Sequence, residues 1–114
     1  MNNVILIGRL TDKPELNYTP NTQTAKATFT LAVDRQKEGA DFIRVTVWGK
    51  QAEACANNLT KGRQAAVLGH IQTGSYNRDG QKVYTTDVVA DRVEFLGSRS
   101  EPREQPREYE YDLF

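Results

Sequence analysis

Cysteine and histidine each occur once in the 114 residues, as Cys55 and His70. A lone thiol excludes an internal disulfide. It also leaves too few donors for a His- and Cys-rich metal site, and a Cys/His nucleophile pair would have to unite residues on two separate packed segments. The glycine-containing stretches match neither a phosphate-binding loop nor a dinucleotide fingerprint. Asp87 and Asp91 share a parity near the end of the chain, but a catalytic carboxylate pair needs a cleft and a partner acid or base, and the sequence names neither. No enzymatic activity, metal or cofactor is therefore expected. Long apolar runs are missing too: none approaches the roughly 20 residues of a membrane-spanning helix. The opening MNNVILIGRLTD lacks the basic start and apolar length of a secretory signal. These absences predict a soluble, cytoplasmic chain without a membrane partner.

Net charge is absent as well, with 15 Lys+Arg against 15 Asp+Glu. Divided after residue 97, the body carries 12 cations against 10 anions and the remainder 3 against 5. The difference is small, so partner preference depends on where the charges sit and not on their sum. A chain of this length forms one small domain that buries only about 65% of its unfolded surface, and self-association would help it.

What is present is strongly patterned. Val4 to Leu10 (VILIGRL) is a β-rich run interrupted by Gly8, where a bulge or tight bend is expected. Residues 12–24, with both prolines of the body, read as a loop. Residues 25–34 alternate, with Ala25, Ala27, Phe29, Leu31 and Val33 on one side and Lys26, Thr28, Thr30 and Asp34 on the other. A charged loop, RQKEGAD, leads into DFIRVTVWGK (residues 41–50), which holds the single tryptophan. Here Ile43, Val45 and Val47 form a core face, while Phe42, Arg44, Thr46 and Trp48 form a face of aromatics and a cation. An unpaired guanidinium is too costly to bury, so this second face is not another core.

The period then changes. Ala52, Cys55, Ala56 and Leu59 fall at i, i+3, i+4 and i+7 and mark a short helix, with Gly62 beyond it as a cap. Residues 64–73 and 82–96 read as strands joined through GSYNRDGQ, whose DG signals a hairpin turn. Three strands, one helix and two strands is the order of an all-β OB-fold, a five-stranded partly open barrel with its helix between strands 3 and 4. Residues 1–97 form this domain. Residues 98–114, with the near-repeat EPRE/QPRE and no apolar face, are expected to be a disordered acidic tail.

Aromatics and cations on one strand face suit single-stranded nucleic acid, which needs flat rings for its bases and cations along its phosphates. Phe42, Arg44 and Trp48 supply both. Tyr76 and Arg78 near the hairpin turn extend the set, and Arg35, Lys37 and Lys50 add cations. The first strand, apolar on both parities at Val4 to Ile7, is expected at a subunit interface.

The ordered series NNVILIGRLTDKPELNYTPN, ATFTLAVDR, DFIRVTVWGKQAE, LTKGRQAAVLGHIQT and YNRDGQKVYTTDVVAD resembles the bacterial and phage single-stranded DNA-binding proteins over the whole body. The resemblance implies an OB-fold, a homotetramer, and binding of single-stranded DNA without sequence preference during replication, recombination and repair. It places the stacking positions on Phe42, Trp48 and Tyr76 and the basic positions on Arg44, Lys50, Arg9 and Arg35. It further implies recruitment of replication and repair proteins by the tail tip, here Asp112, Leu113 and Phe114. Two features depart from the family: Lys37 stands where many relatives have an aromatic, and Leu113 stands where proline is expected. The alternative reading is an OB-fold adaptor of a replication complex whose main ligand is protein.

Overall fold

A computed structural model of the chain describes residues 1–97. The proposed tail, including Asp112, Leu113 and Phe114, lies outside the described residues. Seven elements follow one another: β1 (Val4–Leu10), β2 (Glu15–Tyr18), β3 (Ala25–Asp34), β4 (Ala40–Trp48), α1 (Lys50–Asn58), β5 (Gln64–Arg78) and β6 (Gln81–Phe95). Alternation in β3 does what its sequence predicts. Ala25, Ala27, Phe29 and Leu31 are buried, and they pack with Val45 and Val47 of β4, Leu10 of β1, Val67 of β5 and Val88 of β6. The helix lays Ala52, Cys55 and, just beyond its end, Leu59 on the same core.

Pairing runs β1–β5–β6–β4–β3, and β3 returns to β1, so five strands close into a ring with the OB-fold topology. Two seams are thin. The β1–β3 pairing holds only Arg9↔Ala32 and Leu10↔Leu31, and the parallel β4–β6 pairing only Val45↔Val88 and Thr46↔Val89. Gly8 permits the first closure: a β-carbon there would collide with the carbonyl oxygen of Ala32. In place of the expected bulge or bend, Gly8 marks a close approach of two backbones, and the β1–β5 register runs through it without a shift. At the second seam, β6 runs on past β4, and Gln51 of α1 takes over. Its Oε1 accepts from the Val93 N–H at 2.6 Å, and its Nε2 donates to the Asp91 carbonyl at 3.2 Å. Backbone groups that lack a strand partner are satisfied by the helix.

Two stretches differ from the expectation. The loop read over residues 12–24 contains β2, a sixth strand outside the ring, paired antiparallel with Tyr18–Ala25 through Glu15–Thr28 of β3. Its four residues are too few and too polar to show a period. The segment from Gly74 to Arg78, read as part of a loop, continues β5, so the turn shrinks to Asp79 and Gly80. Their φ values of 52° and 82° are those of a type I′ turn, whose twist matches that of the strands it joins. From Ile71 to Arg78 every residue of β5 is exposed, and the hairpin projects from the ring. Asn2 anchors its base, exchanging two hydrogen bonds with the backbone of Ile71 at 2.8 and 2.9 Å.

Candidate nucleic-acid interface

Strand register decides which side chains meet. Across β3 and β4, Lys26 lies opposite Trp48, Thr28 opposite Thr46, Thr30 opposite Arg44 and Ala32 opposite Phe42. Thr46 pairs laterally with Val89 of β6, and along the hairpin Gln72 pairs with Asp87, Gly74 with Thr85, Tyr76 with Val83 and Arg78 with Gln81. Directly opposed residues share a face, as do alternate residues along one strand. Tyr76 and Arg78 therefore stand on the same sheet face as Trp48, Arg44 and Phe42. Phe42 is 68% exposed, Trp48 43% and Tyr76 49%, which separates all of them from the core.

The cations are not equivalent. Arg44 projects into solvent with its Nε 3.7 Å from Asp87 Oδ1 on the hairpin. Arg35 is engaged by Asp41 through its Nε at 3.0 Å and a second nitrogen at 2.9 Å, and its backbone N–H donates to the Gly39 carbonyl. It closes the β3–β4 loop, on which Lys37 is exposed. Lys50 opens α1, two residues beyond Trp48, and is also exposed. Arg9 falls in one lateral row with Ala32 and Phe42, although its Nη1 donates to the Gly62 carbonyl at 3.1 Å. Arg78 sits at the hairpin end, beside the turn.

Lys26 was not singled out from sequence. Its ammonium stands over the Trp48 ring, 5.4 Å from the centroid, within the range of a cation–π contact. Its outward parity was visible, but its meeting with Trp48 required the β3–β4 register. Thr46 breaks the outward pattern: it is 8% exposed because the ring, Lys26 and the hairpin crowd around it. Together they border a groove of about 180 Å³ between β4 and the hairpin. A wider open groove of about 550 Å³ lies on the other side of Arg44, against Thr28, Thr30 and residues 11–15.

Elsewhere the polar groups serve structure. The Tyr18 hydroxyl donates to Glu53 Oε2 at 2.9 Å, tying β2 to α1, and this bond to a carboxylate raises its pKa. Burial pushes the Cys55 thiol up to about 11, so it stays protonated and unreactive at neutral pH. His70 Nδ1 lies 3.4 Å from Asp91 at the surface. Among the described residues no group of three or more His, Cys, Asp or Glu is placed to hold a metal ion, and no helix is long and apolar enough to cross a membrane.

An OB-fold ring with exposed aromatics and cations on one continuous sheet face has the form of an oligonucleotide-binding barrel. Residues 1–96 match the model of the single-strand binding protein family, and the chain belongs to that family. It is 58% identical over 102 residues to single-stranded DNA-binding protein 3 of Clostridium acetobutylicum, covering 84% of this chain and 71% of that protein. The single-stranded DNA-binding protein of Clostridium tetani is 57% identical, covering 84% and 70%. That of Bacillus cereus is 52% identical over 112 residues, covering 92% of this chain and 65% of the relative.

Proposed function

We propose that the protein binds single-stranded DNA by stacking bases on Phe42, Trp48 and Tyr76 and holding phosphates with Arg44, Lys50, Arg78, Lys37, Arg9 and Arg35. By this means it protects exposed strands during replication, recombination and repair in the cytoplasm. The observation that carries the reading is the placement of three exposed rings on one continuous sheet face with cations between them. Every base has a π face, so stacking tolerates any sequence, and each stacked base is worth about 1–3 kcal/mol by alanine substitution. Arg35 contributes least in this scheme, because Asp41 already engages it.

The working unit is a homotetramer in this reading. In support, Ile5 and Ile7 of β1 are 71% and 54% exposed, and Val4 to Gly8 pair with β5 alone among the described residues. An apolar strand with one free edge calls for cover. The tip residues Asp112, Leu113 and Phe114 recruit replication and repair proteins, since an acidic and apolar chain end suits a basic pocket.

The test is a titration with oligo-dT followed by Trp48 fluorescence. Stacking quenches it strongly. An unquenched signal, with no binding by an independent method, would overturn the assignment.

A further inference from the structure

The hairpin that carries Tyr76 and Arg78 stands clear of the ring. Beyond Gly69, β5 pairs with β6 alone among the described residues, and from Gln81 to Asp87 β6 pairs only with β5. A two-stranded ribbon is marginal by itself, so its direction is set where it leaves the barrel. At that root Gly69 comes so close to β6 that a β-carbon would strike the Val89 carbonyl oxygen. The register also slips between Leu68 and Gly69, which leaves Asp91 without a residue opposite it. Such a bulge bends and twists the strands that run on from it.

Two side chains fasten the bent root, one on each edge. Gln51 holds the β6 edge through the Asp91 carbonyl and the Val93 N–H. On the β5 edge, main-chain pairing with β1 ends at Val4↔Gly69, and the same register carried further sets Asn2 opposite Ile71. There the side chain takes the place of a backbone: Asn2 Nδ2 donates to the Ile71 carbonyl at 2.8 Å, and Asn2 Oδ1 accepts from the Ile71 N–H at 2.9 Å. A carboxamide carries a donor and an acceptor as a peptide group does, so it completes both bonds that a paired strand residue would make. Resting on the single-stranded DNA reading, we propose that Asn2 is a positioning residue for strand binding: by pinning Ile71 it sets the angle of the hairpin and holds Tyr76 on the face of Trp48 and Phe42. It acts through the ring and touches no base or phosphate. The lever is long. Tyr76 lies about 17 Å beyond Ile71 along the extended strand, at about 3.3 Å per residue, so a tilt of about 10° at the root carries the ring about 3 Å off that face.

The experiment is a double-mutant cycle on the full chain, because Asn2→Ala removes both bonds without adding charge. Dissociation constants for end-labelled oligo-dT are read by anisotropy at one salt concentration for the unmodified protein, for Asn2→Ala, Tyr76→Ala and Phe42→Ala, and for Asn2→Ala combined with each of the other two. Hydrogen exchange at the Ile71 amide is followed alongside. Asn2→Ala should speed that exchange and weaken binding by about two- to tenfold, the worth of one or two exposed hydrogen bonds. In the Tyr76→Ala background the loss should shrink toward none, since the ring that Asn2 positions is gone. In the Phe42→Ala background it should persist in full, since Phe42 sits on β4 and does not depend on the hairpin. A merely structural role would give the same loss in both backgrounds. Equal losses there, no loss in Asn2→Ala, or unchanged protection of the Ile71 amide would each overturn the positioning role. Failure of the unmodified protein to bind oligo-dT would overturn the single-stranded DNA reading itself, a result distinct from binding with equal losses.

Discussion

Phe42 and Phe29 provide a matched pair for separating stacking from packing. They lie on neighbouring strands, but Phe42 is 68% exposed and Phe29 5%. A phenylalanine side chain carries about 200 Å², so the covered third of Phe42 is roughly 65 Å², and at about 25 cal/mol per Å² its removal costs at most about 1.6 kcal/mol. Phe29→Ala removes a ring from the middle of the core and should cost about 3–5 kcal/mol. In thermal melts Phe29→Ala should therefore lose about two to three times as much as Phe42→Ala. Binding should order the two differently. Removing a stacked base's platform costs about 1–3 kcal/mol, which is a five- to 150-fold weaker dissociation constant for oligo-dT. Anisotropy with labelled oligo-dT measures that loss at a temperature where both variants are folded. If Phe42→Ala melted as early as Phe29→Ala while binding oligo-dT like the unmodified protein, Phe42 would be a packing residue and the stacking face would be wrong.

Three further outcomes are expected. Affinity for oligo-dT should fall with salt at a log–log slope near −0.7 per phosphate neutralised, and Arg44→Ala should make the slope shallower by about that amount; an unchanged slope would remove Arg44 from the phosphate path. Gly8→Ala should destabilise the fold by about 1–3 kcal/mol in denaturant melts, because the new methyl meets the Ala32 carbonyl at the β1–β3 seam; a neutral substitution would mean that the seam can open freely. Cys55 makes the fold sensitive to alkali. Its pKa rises from 9.0 to about 11, so the folded state holds its proton more tightly and stability is fully present below pH 9, then declines as pH rises toward 11. Cys55→Ala should flatten that decline in melts taken across the same range.

Much of the fold was legible because period is a local property. The alternation of Ala25 to Val33, the helical spacing of Ala52, Cys55 and Leu59, and the DG turn each depend on residues within one segment, and each appears in the structure as expected. The two-faced nature of DFIRVTVWGK was equally local, with Val45 and Val47 buried and Phe42, Arg44 and Trp48 exposed. The β2 strand escaped notice because pairing with β3, and not any period of its own, makes it a strand. The extension of β5 through Tyr76 escaped for the same reason: glycine and polar residues there are held extended by β6.

Sequence alone determined the parity of β3 and β4, and so that Phe42 and Trp48 could not be core, since side-chain alternation follows from backbone geometry. Register and ring closure came only with tertiary structure, because they bring together residues far apart in the chain. They set Lys26 over Trp48, tied Arg35 to Asp41, carried Tyr76 onto the face of Phe42, and placed Asp87 across a groove from the tryptophan. A charge's partner, unlike its parity, depends on which strands lie beside it.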